Sequence, residues 1–224
     1  MEKEIYKRLY KMLSDSKQFL IEKNVAHRTN HITVAVEHLC QSHNTSAVVR
    51  TCDCFGVQNV YIIARKKYKV NRDVAMGAGK WITEHRYAQV DTMHCLQEIK
   101  EKGYKIIATS PHAEKSIFDL DISQPVCLLF GTEKHGLSET VFEAADETVS
   151  IPMYGFTESF NISVSVALCL QALRQKMEQE VSNWKLSEDE QVALKLEWCR
   201  NILRNGEAVY DVVKKQVETE TKVL

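Results

Sequence analysis

Ser159 and Asn161 follow a turn built on Pro152 and Gly155 and stand directly before an almost uninterrupted apolar run that reaches Leu170. Hydrogen-bonding groups therefore sit where a buried helix begins, a place suited to holding a small polar ligand. Two earlier segments repeat the order of short apolar strand, polar residues and helix. One is Ser42-His43-Asn44-Thr45-Ser46-Ala47-Val48-Val49-Arg50, and the other is Leu129-Phe130-Gly131-Thr132-Glu133-Lys134-His135-Gly136-Leu137-Ser138. Asn44 can both donate and accept hydrogen bonds, and Arg50 carries a fork of donors. Gly131 and Gly136 permit sharp turns and close approach of backbone to a ligand, and Ser138 is a helix-capping type. Taken singly these residues also have plain structural uses: an exposed ion pair for Arg50, a helix cap for Asn44, a solvated loop carboxylate for Glu133.

The elements that must position them alternate. Short β-rich runs are predicted over His31–Glu37, Val57–Ala64, Lys105–Thr109, Val126–Phe130 and Thr148–Ile151, with helices near Ser46–Phe55, Met93–Lys102 and Ser138–Ala145. This pattern argues for an α/β fold, a parallel sheet with helices on both faces. Ligands of such sheets lie beyond the carboxyl ends of the strands, where all three polar segments fall. At the start of the chain, Ile5, Leu9, Met12, Leu13 and Leu20 have helical spacing and predict one amphipathic helix over roughly the first 20 residues. Near the other end, Ser187 and Glu190 have capping-box spacing ahead of a helix carrying Val192, Leu196, Cys199 and Leu203 and stopping at Asn205-Gly206. A last helix carries Val209, Val213 and Val217.

The chain's 224 residues suffice for one substantial core with helical additions. Hydrophobic residues at 44% and charged residues at 26% are ordinary for a soluble globular protein, and no apolar run reaches the ~20 residues of a membrane span. The charged start, MEKEIYKRLYKML, lacks a signal-peptide core. Seven cysteines without a CxxC pair read as reduced cytosolic thiols, and Cys52-Asp53-Cys54 lacks the spacing of a zinc site. The net charge of -1 does not announce a nucleic-acid binder, but Arg65-Lys66-Lys67-Tyr68-Lys69 is a compact basic cluster. No GxGxxG is present, and Gly77-Ala78-Gly79-Lys80 lacks the glycine spacing of a P-loop, which removes the ordinary dinucleotide and NTPase readings.

Taken in order, the three polar segments resemble the motifs of the SpoU (TrmH) family of RNA 2'-O-ribose methyltransferases. The resemblance runs through NHITVAVEHLCQSHNTSAVVRTCDCFGV and AMGAGKWITEHRY and spans roughly Arg28 to Gln175. It implies a trefoil-knotted methyltransferase domain over residues 26–178, with helical extensions over 1–25 and 179–224. It also implies S-adenosyl-L-methionine as cofactor, held by Thr109, Gly131, Ile151, Met153 and Phe160, and no metal. Asn44, Arg50, Glu133, Ser159 and Asn161 match the family's catalytic positions, with Glu133 expected to pair with Arg50. Arg65, Lys66 and Lys67 from the basic cluster, whose plain reading is a solvated loop, join Arg50 and its neighbour His43, whose plain reading is a structural histidine, as the candidate RNA-binding residues. Phe160 stands where leucine is commoner in the family. The resemblance further implies a cytoplasmic homodimer, formed through the apolar helix after Asn161, that acts on tRNA at the guanosine of position 18. The alternatives are a ribosomal RNA 2'-O-methyltransferase of the same fold and a non-catalytic RNA-binding protein of that fold.

Overall fold

The computed structural model describes residues 1–39, 42–64 and 71–223. They divide into two compact units, Thr29–Trp184 and a second made of Met1–Arg28 with Lys185–Leu224. In the first, β1 (Ile32–Glu37), β2 (Asn59–Ala64), β3 (Thr83–Ala88), β4 (Lys105–Thr109), β5 (Val126–Phe130) and β6 (Glu147–Val149) form one parallel sheet in the order β3-β2-β1-β5-β4-β6. Every residue of β1 and β5 is buried, because helices cover both faces of these central strands.

On one face Val34, Val36, Val60, Ile62, Leu128 and Phe130 share a core with two helices. These are α3 (Ser42–Cys54), through Val48, Val49 and Cys52, and α7 (Ile162–Glu180), through Val166, Leu170 and Leu173. Past the single turn α4 (Arg72–Ala75), α5 (Thr92–Glu101) and α6 (Glu139–Ala144) cover the other face, where Ala35, Tyr61, Ile63, Ile106 and Leu129 meet Cys95, Leu96, Ile99 and Val141. Burying each large aliphatic side chain contributes roughly 1.5–3 kcal/mol. All six described cysteines are free, five of them buried, and burial pushes the thiols of Cys95, Cys169 and Cys199 up to about 12. Cys40 lies outside the described residues.

Two elements differ from the sequence expectation. β3 had no apolar signature because it is the sheet's edge: its Thr-Glu-His-Arg-Tyr-Ala residues are only partly covered, and Arg86 pairs with Glu84 at 2.6 Å. The expected single amino-terminal helix is two, α1 (Glu2–Lys11) and α2 (Asp15–Val25), because the backbone turns extended at Ser14 (ψ 154°) before the second begins. Ile5, Leu9 and Leu13 are buried as the spacing implies, but Met12 and Leu20 are exposed, and Ile21 and Val25 take the buried face of α2.

In this second unit α1 and α2 pack against α8 (Glu188–Ile202), and α1 also against α9 (Gly206–Val223). The Ser187–Glu190 capping box forms as its spacing predicts. The Glu22 carboxylate accepts from the Tyr6 hydroxyl at 2.7 Å and from Lys195 Nζ at 2.6 Å, and the Arg28 guanidinium lies over the Trp198 ring at 5.1 Å. Among the described residues no helix is long and apolar enough to cross a membrane.

Candidate active site

The carboxyl ends of β4, β5 and β6 open onto a cleft of about 420 Å³. Phe130, Leu137, Ile151, Met153 and Phe160 give it apolar walls, while Thr109, Glu133, Glu158 and Ser159 supply polar groups. Its central wall depends on two glycines. Past β5 the chain folds back on itself, Thr132 N donating to Gly136 O at 3.0 Å and Gly136 N to Thr132 O at 2.9 Å, with Gly136 in the left-handed region at φ 66°. Gly131 packs so tightly under this turn that a Cβ there would lie 2.1 Å from the Gly136 carbonyl.

The far end of the turn is tied to the centre of the sheet. Glu37, the last residue of β1 and only 3% exposed, accepts from Ser138 N at 2.8 Å and from Ser138 Oγ at 2.7 Å. Ser138 Oγ in turn caps α6 by accepting from Val141 N. On the neighbouring strand, Thr109 Oγ1 donates to Leu129 O at 2.7 Å and holds β4 to β5 at the cleft's edge.

Glu133 is where the three polar segments meet. Its Oε1 accepts from Asn161 Nδ2 at 2.9 Å, from Asn44 Nδ2 at 3.4 Å and from Ile162 N at 3.5 Å. Asn161 reaches Glu133 while capping α7, its Oδ1 accepting from Ser163 N at 3.0 Å and Ser163 Oγ at 2.7 Å. Asn44 is not a cap; it lies inside the first turn of α3.

Arg50 is elsewhere. Six residues along an α-helix is about 9 Å of rise and a rotation that leaves the two side chains about 120° apart, so Asn44 and Arg50 leave α3 on different sides. Arg50 is exposed, does not line the cleft, and shares the outer face of α3 with His43, seven residues earlier. The expected Glu133–Arg50 pair is therefore not formed within the chain, and the two asparagine amides take its place. Ser159 lines the cleft from an exposed loop, together with Met153 and Phe160. Arg65, Lys66 and Lys67 lie outside the described residues.

Glu133→Gln removes charge from three converging hydrogen bonds, and charge-assisted bonds are about twice as strong as neutral ones. We expect turnover to fall about tenfold with a melting shift of only a few degrees; equal turnover in a methyl-transfer assay would remove Glu133 from the site.

An apolar slot with the Glu133 carboxylate and the Ser159 hydroxyl at its mouth fits a nucleoside carrying a cationic amino-acid tail, which is the chemistry of S-adenosylmethionine. All five residues expected to hold that cofactor, Thr109, Gly131, Ile151, Met153 and Phe160, border this one cleft. No group of side chains among the described residues could hold a metal ion. Sequence reasoning passed over Glu37 and Glu158. The signal for Glu37 was a carboxylate closing an otherwise uncharged, buried strand, Ile-Thr-Val-Ala-Val-Glu.

Residues 31–171, which contain both walls of the cleft and the Glu133 junction, match the family described as SpoU rRNA Methylase. The chain is 35% identical over 218 residues to the tRNA (guanosine(18)-2'-O)-methyltransferase of Borreliella burgdorferi, covering 95% of this chain and 99% of the relative. The enzyme of the same name from Aquifex aeolicus is 34% identical over 198 residues, covering 86% and 88%. Among solved structures, the A. aeolicus TrmH/SpoU tRNA modifying enzyme superposes with a TM-score of 0.75 at 29% identity, covering 89% of this chain and 99% of that one. With the match spanning every element that builds the cleft and the nearest of these relatives aligned almost end to end, the chain belongs to the SpoU methylase family.

Proposed function

We propose that this protein is a cytoplasmic tRNA 2'-O-ribose methyltransferase that modifies guanosine 18 and uses S-adenosylmethionine. The observation that carries the reading is the Glu133 junction, where the three motif segments are joined by hydrogen bonds at the mouth of a cleft of cofactor size. The relatives named for this reaction support it, since they align along nearly the whole chain.

S-adenosylmethionine supplies an electrophilic methyl group on a positively charged sulfur. Thr109, Gly131, Ile151, Met153 and Phe160 hold the cofactor within the apolar slot, its loops arranged in the trefoil knot of the family. Ser159 hydrogen-bonds the ribose, and Glu133 fixes Asn44 and Asn161 so that the acceptor is presented in one geometry. To accept the methyl group the 2'-hydroxyl would give up its proton to bulk water, and the negative charge this leaves on the oxygen is what the site would stabilise until the new oxygen–carbon bond has formed and the carbon–sulfur bond has broken. A guanidinium is effectively always protonated, so Arg50 serves as a clamp on the adjacent phosphate and on that charge rather than as a base. His43, on the same face of α3, and the Arg65, Lys66, Lys67 cluster contribute to holding RNA.

The working form is a homodimer that completes the site. α7 leaves Val164 and Leu168 exposed on an outward stripe, and Arg50 stands apart from its own chain's cleft. Light scattering at micromolar concentration is expected to give twice the chain mass; a monomer contradicts the dimer.

Incubation with labelled S-adenosylmethionine and unmodified bulk tRNA tests the function. Label is expected on the ribose of the D-loop guanosine, located by mass spectrometry. Label on ribosomal RNA alone would replace the substrate, and label on neither would leave a non-catalytic binder.

A further inference from the structure

The loop between Met153 and Ser159 carries three side chains that the reaction as described does not use. Tyr154 and Phe156, on either side of Gly155, are as exposed as in an extended peptide. Glu158 lines the cleft immediately before Ser159 and makes no hydrogen bond or ion pair with any described residue. Glu158 borders the cleft beside Met153 and Phe160, which wall the cofactor slot, and Tyr154 and Phe156 stand in solvent on the stretch of chain that joins Met153 to Glu158.

A 2'-hydroxyl inside a folded RNA reaches such a cleft only if its nucleotide leaves the stack, and the freed base then needs a partner for its ring face and its hydrogen-bonding edge. Two exposed aromatic rings offer the face. For the edge, only guanine among the four common bases presents two adjacent donors, N1–H and N2–H, and a carboxylate has two acceptor oxygens and no donor. The geometry points to a guanine-reading subsite in this loop, with Tyr154 and Phe156 stacking on the extruded base and Glu158 accepting from its Watson–Crick edge. This rests on the tRNA guanosine reading above. It makes Glu158 the residue that rejects adenosine, whose corresponding edge turns a ring-nitrogen lone pair toward the carboxylate.

The test compares transcripts carrying guanosine, inosine or adenosine at the modified position. Inosine lacks the N2 amino group and removes one charge-assisted hydrogen bond, so wild-type kcat/KM is expected to fall about tenfold from guanosine to inosine. In Glu158→Gln, and in Glu158→Ala as a second variant on this exposed loop, that ratio is expected to shrink to within about twofold while KM for S-adenosylmethionine stays unchanged. An unchanged ratio overturns the proposal; so does a rise in KM for S-adenosylmethionine without a change in ratio, which would assign Glu158 to the cofactor's cationic tail. Phe156→Ala is expected to lower kcat/KM for tRNA about tenfold at constant mass in light scattering, whereas a halved mass would assign the aromatic pair to a second copy of the chain and overturn stacking. If wild-type protein labels none of the transcripts, the tRNA reading itself fails and the subsite falls with it.

Discussion

Arg50→Ala is expected to lower single-turnover methyl transfer about a thousandfold while leaving the melting temperature within a few degrees. The stability half of that expectation follows from position: Arg50 is exposed on the outer face of α3 and has no ion-pair partner among the described residues, so its loss creates neither a cavity nor an orphaned charge. The activity half follows from the reaction. A group that stabilises charge developing on an attacking oxygen contributes about 3–4 kcal/mol when it is preorganised, which is two to three powers of ten in rate. If Arg50 only grips a phosphate, the variant loses RNA affinity and about one unit of the salt-dependence slope, and saturating RNA restores the rate. Arg50→Lys separates the two uses. Lysine keeps the charge but not the planar fork, so near-normal turnover with only weakened RNA binding would rule out a catalytic role for the fork.

Gly131→Ala is the second large effect, and its cause is steric. The new Cβ would sit 2.1 Å from the carbonyl carbon and oxygen of Gly136 and 2.3 Å from Leu137 N. None of these atoms is the movable end of a side chain. They belong to the turn closed by the two Thr132–Gly136 hydrogen bonds, whose far end Glu37 fastens through Ser138. Relief requires opening that turn, which displaces Glu133 from its asparagine partners and Leu137 from the cleft wall. Calorimetric binding of S-adenosylmethionine is expected to weaken at least a hundredfold, with the melting temperature falling by several degrees. Gly155→Ala is the control, since a Cβ there meets nothing closer than Thr157 Oγ1 at 4.0 Å. Cofactor binding in Gly131→Ala equal to that of Gly155→Ala would refute the steric account.

The helix-covered parallel sheet was legible because burial on both faces leaves a simple trace. Strands β1, β2, β4 and β5 are short apolar runs set between helical segments, and the structure places them within two residues of their expected bounds. β3 was illegible for the opposite reason. An edge strand needs no continuous apolar run, and Glu84 and Arg86 pair with one another on its partly solvated surface. The break between α1 and α2 was hidden because helical periodicity continues through Met12 and Leu20 by coincidence of spacing, whereas burial follows the new axis set at Ser14.

The candidate site divides along the same line. Residue types and their spacing determined the family, the fold class and the segments that carry chemistry, since short stretches of polar residues between a strand and a helix are local features. Which of those residues touch was decided by tertiary structure alone. Nothing in the sequence says that Asn44 and Asn161, 117 positions apart, share one carboxylate oxygen, or that Arg50 turns away from it. The first is set by the order in which parallel strands lie side by side, and the second by 3.6 residues per turn on a helix already anchored by Val48, Val49 and Cys52. Glu37 makes the same point from the core: its type was visible at the end of β1, but its partner lies 101 residues away and only the pairing of β1 with β5 brings Ser138 to it.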